Sequence, residues 1–125
     1  MALARDFRDL DVYKFARKHA KEIFELSKSF PSEEKYSLTD QIRRSSRSVC
    51  SNIAEAWRNR RYSNSFVSKL GDAEAEAAET QVWIEFSVKS GYVGPDEADI
   101  LEQQYECIQG KIVHMLNHPD QWSIR

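Results

Sequence analysis

Apolar residues in this chain recur three and four positions apart through four separate stretches, a spacing that predicts four amphipathic helices. The first, about residues 11–29, sets Val12, Phe15, Ala16, His19, Ile23 and Leu26 at helical spacing. Asp11 stands in the N-cap position, and Phe30-Pro31 stops the run because a residue before proline avoids helical backbone angles. The second, about residues 38–60 with Ser37 in the cap position, gathers Leu38, Ile42, Val49, Ile53 and Ala56 into one arc at roughly 100° per residue. Arg43, Arg47, Arg58 and Arg61 fall nearly opposite, so one face packs and the other displays cations. Four serines in the middle (Ser45, Ser46, Ser48, Ser51) are small enough to let a neighbouring helix approach closely.

The third stretch, about residues 63–90, repeats Phe66, Leu70, Ala73, Ala77, Thr80, Ile84 and Ser87 as a heptad seam, and Gly91 ends it. A second apolar stripe, Ala75, Ala78, Val82 and Phe86, lies on another side of the same helix. Asp72, Glu76, Glu79 and Trp83 align between the two stripes, so this helix is expected to have two partners. The fourth, about residues 95–118, opens on Gly94-Pro95-Asp96-Glu97, with proline in the first turn and acids where the helix dipole favours them. It continues with Ala98, Leu101, Tyr105, Ile108, Ile112 and Met115 in register and stops at His118-Pro119. Four such helices with short connectors make antiparallel neighbours. The expected fold is all-α, one antiparallel up-down-up-down four-helix bundle over residues 1–125.

Nothing in the sequence approaches the roughly 20 apolar residues of a membrane span, and the N-terminus has no apolar stretch of signal-peptide length, so a cytoplasmic address and no membrane partner are expected. Cys50 and Cys107 lie far apart without metal-ligand spacing and are expected to be reduced and buried. The net charge of −2 conceals an asymmetry: Lys35 to Arg61 holds seven Lys or Arg against Asp40 and Glu55, whereas Asp72 to Glu106 holds ten acids against Lys89. Two readings of the cations stand side by side. Arg43, Arg44, Arg47, Arg58, Arg60 and Arg61, with Tyr62 able to stack on a base, suit a phosphate backbone. Alternatively, Arg43, Arg44 or Arg47 pairs with Asp72, Glu76 and Glu79 of another subunit. The acidic ridge and second stripe, Asp72, Ala75, Glu76, Ala78, Glu79, Val82, Trp83 and Phe86, are the expected oligomer interface.

Signatures of catalysis are missing: the chain contains no Walker loop, GxGxxG, GxSxG or HExxH, and no Glu-x-x-His of a di-iron bundle. His114 and His118 share a helical face but lack a third ligand in register, so neither a metal nor a cofactor is expected. His19 reads as a core or rim histidine, and Asn52 with Glu55 as a hydrogen-bonded network that sets helix register.

The motif Gln41-Ile42-Arg43-Arg44, then Ser48-Val49-Cys50-Ser51-Asn52-Ile53-Ala54-Glu55-Ala56, with Glu79-Thr80-Gln81-Val82-Trp83-Ile84 and Gly91-Tyr92-Val93 downstream, resembles the bacterial four-helix-bundle family often encoded in 23S rRNA intervening sequences. Cys50 stands where that family usually has proline, which should straighten helix two, and Ala56 replaces the usual glycine. The resemblance implies a closed homo-oligomer, typically a pentamer, with no established enzyme activity. It also implies kinship with accessory proteins of diversity-generating retroelements, which bind a reverse transcriptase and nucleic acid through a basic surface. The expected function is a non-enzymatic oligomeric adaptor for RNA or single-stranded DNA. The alternative is a protein-binding scaffold whose arginines serve subunit contacts.

Overall fold

The structure, a computed structural model, describes residues 4–122. It contains α1 (Asp11–Ser27), α2 (Leu38–Arg58), α3 (Ser63–Lys89) and α4 (Pro95–Asn117), and no strand among the described residues. Short 3-10 turns lie at Phe7–Asp9, Ser32–Glu34 and Pro119–Gln121. Each helix packs on the next and α4 closes back on α1. With reversing connectors between them, the four run up-down-up-down, as the apolar pattern predicts.

The two heptad seams are the core. Phe66, Leu70, Ala73, Ala77, Thr80, Ile84 and Ser87 are the buried residues of α3, and Ala98, Leu101, Tyr105, Ile108, Ile112 and Met115 those of α4. They meet Val12, Ala16 and Ile23 of α1 and Ile42, Val49, Ile53 and Ala56 of α2, all nearly inaccessible to solvent. Of the four serines of α2, Ser45 and Ser46 are buried and Thr80 on α3 reaches to 2.8 Å of the Ser45 hydroxyl, whereas Ser48 is half-buried and Ser51 exposed. Each hydroxyl has one proton, so one of the two can donate across the seam while the other bonds a helix carbonyl, that of Glu76 at 2.9 Å or that of Ile42 at 3.4 Å. α2 runs unbroken through Cys50, because a cysteine keeps the backbone N–H that a proline would remove.

Helix ends depart from the sequence reading by one or two residues, each for a visible reason. α1 stops at Ser27 because Lys28, Ser29 and Phe30 turn tightly, their N–H groups bonding the carbonyls of Glu25, Leu26 and Ser27. That turn buries Phe30 against Tyr92, with ring centroids 5.6 Å apart. Asp11 is the first residue inside α1 and not its cap; Leu10 holds the N-cap position and its side chain is buried. Asp11 instead accepts a 2.9 Å hydrogen bond from Lys111, tying α1 to α4. Ser37 occupies the N-cap of α2 but its hydroxyl bonds Glu34 and not the helix. Gly91 ends α3 at φ +79°, where its N–H and that of Tyr92 return to the carbonyls of Val88 and Ser87.

Burial of the two cysteines is corrected: Cys107 is exposed on α4 and Cys50 half-buried. Burial pushes the Cys50 thiol up to about 11. Glu55 is exposed and pairs with Lys69 at 3.2 Å, while Asn52 donates to the Ser48 carbonyl at 2.9 Å, so the two do not form one network. His19 is buried in α1, its Nδ1 2.9 Å from Glu22.

Candidate nucleic-acid interface

The arginines of α2 separate into three sets. Arg44 crosses to α3 and pairs with Glu76 at 2.9 Å and also with Glu79, so the acidic ridge is answered within the chain. Arg43 leans the other way, donating to the Ser27 hydroxyl of α1 at 2.7 Å and lying 4.6 Å over the Phe24 ring. Arg47 lies 5.3 Å over the same ring. Neither Arg43 nor Arg47 has a carboxylate partner among the described residues, so their charge is sited by an aromatic face and not neutralised.

The third set gathers at the end of the bundle where α2 finishes and α3 begins. Arg58 closes α2, and Arg60, Arg61 and Tyr62 form the connector. With Arg5 and Trp57 they line an open concavity of about 360 Å³ in which no carboxylate takes part. Arg60 is held in place: its guanidinium lies 3.4 Å over the Trp57 ring and donates to the Trp57 carbonyl at 2.9 Å, closing the last turn of α2. Partial burial, and then the charges of Arg58 and Arg61, hold its pKa below the usual guanidinium value. Arg58 and Arg61 are exposed and make no ion pair among the described residues. The nearby Asp6 feels Arg58, yet its hydrogen bonds go to Arg8. Tyr62 is 61% exposed. Tyr62 holds the N-cap position of α3, whose first turn has no side-chain cap and no acid. Four like charges thus gather beside two aromatic rings with no carboxylate in the lining.

Arg5 was missed by the reading of the sequence, since it precedes every periodic segment and only the fold brings it beside the α2–α3 connector. The expected interface residues on α3 divide likewise. Ala75, Ala78, Val82 and Phe86 are exposed and point away from the core. Glu76, Glu79 and Trp83 are half-buried against α2, and Asp72 is exposed beside Lys69. His118 donates to the His114 carbonyl at 2.8 Å, and no group of three or more potential metal ligands occurs among the described residues. No helix among them is long and apolar enough to cross a membrane.

Residues 8–114, from the first 3-10 turn nearly to the end of α4, match the model of the 23S rRNA-intervening sequence protein family. The chain belongs to this family. Among solved structures it is similar to a protein of unknown function from the S23 ribosomal protein family of Bacteroides thetaiotaomicron VPI-5482. The two share 26% identity with a TM-score of 0.77, over 85% of this chain and 95% of the other. No curated protein matches. Family membership and the shared bundle agree with the resemblance noted in the sequence, and the family match leaves Arg5 outside its bounds.

Proposed function

We propose that this member of the 23S rRNA-intervening sequence protein family is a non-enzymatic adaptor that binds nucleic acid through the arginine end of its bundle. The observation that carries the reading is the concavity lined by Arg5, Arg58, Arg60 and Arg61, beside exposed Tyr62, without a carboxylate on its wall. Arg44 is neutralised by Glu76 and Glu79, whereas the cluster at the end of α2 has no carboxylate in its lining, and the repulsion within it is what a bound polyanion would relieve. Such a site reads phosphates and not sequence, so little base preference is expected.

Assembly enters the proposal through α3. Its outward stripe of Ala75, Ala78, Val82 and Phe86 stays exposed, with Phe86 touching only its helix neighbour Trp83 among the rings of the described residues, and a second copy is the occupant of matching chemistry. Five copies is the number the family resemblance implies, and a ring would repeat the arginine end around its rim. A reverse transcriptase or another nucleic-acid enzyme is the kind of protein partner such an adaptor would serve.

The test is anisotropy titration of a fluorescent RNA with the wild-type protein and with the double variant Arg58→Ala, Arg61→Ala. Arg60 is left in place because it closes α2. The variant should bind at least tenfold more weakly and keep its assembly state by light scattering. Its slope of log affinity against log salt should fall by about 1.4, at roughly 0.7 per lost phosphate contact on a single strand. Unchanged affinity, or an assembly that comes apart, would support the scaffold reading in its place.

A further inference from the structure

A second basic feature lies along the α1–α2 seam. Tyr13, Arg17, Ala20, Lys21 and Phe24 of α1 face Arg47 and Cys50 of α2 across a groove of about 380 Å³. No carboxylate lines it. The cations are arranged about aromatic rings: Arg17 lies 5.7 Å over Tyr13, while Arg47, Arg43 and Lys28 approach Phe24 at 5.3, 4.6 and 4.9 Å. Lys21 and Lys28 have Glu25 as partner, at 3.6 and 3.1 Å. Arg17, Arg43 and Arg47 have no carboxylate partner among the described residues. Three guanidiniums gathered at one seam without a counter-charge are costly unless an anion visits them.

The groove and the arginine end are related through α2, which contributes Arg47 to the one and Arg58 to the other. Arg58 follows Arg47 by eleven residues, three helical turns, so both project from one face of α2 about 16 Å apart. That distance is about five stacked nucleotides at roughly 3.4 Å each. The Phe7–Asp9 turn packs on both α1 and α2: Phe7 lies edge-on to Tyr13 with centroids 4.9 Å apart, and Asp6, which feels Arg58, is already bonded to Arg8.

We propose that the α1–α2 groove is a second nucleic-acid contact which, with the arginine end, forms one track for a single strand and not for a duplex. The proposal rests on the nucleic-acid reading of the arginine end. Two packed helices about 8–10 Å apart leave a furrow that admits one strand, whereas a duplex would touch only its rims. The rings of Tyr13 and Tyr62 and the flat guanidiniums of Arg17 and Arg47 offer stacking faces that only unpaired bases can use.

The experiment compares fluorescent 15-mer oligo-dT with a 15-base-pair duplex, using wild type, Arg17→Gln with Arg47→Gln, Arg58→Ala with Arg61→Ala, and Arg44→Gln as a control in a neutralised position. Wild type should bind the single strand tenfold or more tightly than the duplex. The groove variant should weaken that binding at least tenfold and lower the salt slope by about 1.4, and Arg44→Gln should change it less than twofold. Iodouracil-substituted oligonucleotide crosslinked to wild type should mark Tyr13 or Phe24 as well as Tyr62, a readout independent of how any variant folds. No binding by wild type would sink the adaptor reading itself. Loss in the Arg58/Arg61 variant with an unaffected groove variant, or crosslinks confined to Tyr62, would overturn the groove alone. Equal or tighter duplex binding overturns the single-strand assignment, and displacement of oligo-dT by polyglutamate of equal charge would point to an acidic protein segment and overturn the proposal.

Discussion

Thr80 and Ser45 offer the sharpest test of how α2 and α3 are held. Both are fully buried, and their hydroxyl oxygens lie 2.8 Å apart. Thr80→Val keeps the shape of the side chain but strands the Ser45 hydroxyl, whose fallback is the Ile42 carbonyl at 3.4 Å. The expected cost is about 1–2 kcal/mol, the penalty for a buried polar group losing its good partner. Ser45→Ala costs less, about 0.5–1 kcal/mol, because Thr80 can still donate to the Glu76 carbonyl at 2.9 Å. The double variant removes both polar atoms together, so its cost should fall short of the sum of the singles by about 1 kcal/mol. Urea unfolding at one fixed protein concentration measures this, since assembly would otherwise add a concentration term. With m near 2 kcal/mol per molar, Thr80→Val should lower the midpoint by roughly 0.5–1 M. Costs that add within about 0.3 kcal/mol would refute the reasoning, for then the two hydroxyls do not depend on each other.

Three further outcomes follow from individual positions. Gly110 sits in the interior of α4 with nothing within 4 Å of where a Cβ would stand, so Gly110→Ala should raise stability by about 1 kcal/mol in thermal unfolding; a loss would mean that something packs there. At pH 8, Ellman's reagent should titrate one fast thiol, abolished by Cys107→Ser. Cys50, held up to about 11 by burial, should react only on unfolding, and two fast thiols would contradict this. Hydrogen bonds from Ser37 at 2.6 Å and Tyr92 at 2.9 Å hold the Glu34 carboxyl below its ordinary 4.5, so its contribution is present above that value and is lost as pH falls through the lower folded pKa. The melting-temperature gap between wild type and Tyr92→Phe should therefore be constant above about pH 5 and narrow on acidification; a gap that widens would show that the bond favours the protonated acid.

The bundle was legible because each seam is a local periodicity with one solution. Phe66 to Ser87 and Ala98 to Met115 are buried residue for residue, as heptad spacing requires once a single face must leave water. Helix ends were less legible because they depend on partners distant in sequence. Asp11 in the cap position is a sound local guess, yet Lys111, one hundred residues away, draws its carboxylate into a link between helices. Exposure of Cys107 was misjudged for a related reason. A seam determines which positions are inward, and Cys107 adjoins the inward Ile108 while projecting on the other side of α4.

The arginines show where a pattern within one helix runs out. Arg43 and Arg44 are consecutive, and at about 100° per residue they leave α2 on opposite flanks. On one flank stands α1, which presents Phe24 and the Ser27 hydroxyl; on the other stands α3, which presents Glu76 and Glu79. The same side-chain chemistry therefore yields a cation perched on a ring and a cation neutralised twice, and nothing inside α2 distinguishes them. Opposition to the core arc established only that these residues are not buried. Whether such a charge remains available is decided by the neighbouring helix: α3 sets Glu76 and Glu79 against Arg44, whereas Glu22 and Glu25 of α1 bond His19, Lys21 and Lys28 and not the arginines of α2. Arg17, Arg43 and Arg47 meet at the α1–α2 seam, on the side of α2 away from Glu76 and Glu79, and Arg58 and Arg61 stand where the helices end. The α1–α2 flank and the adjoining end thus keep arginines without a carboxylate partner among the described residues, and that siting of charge, more than any single motif, is what supports the proposed polyanion surface.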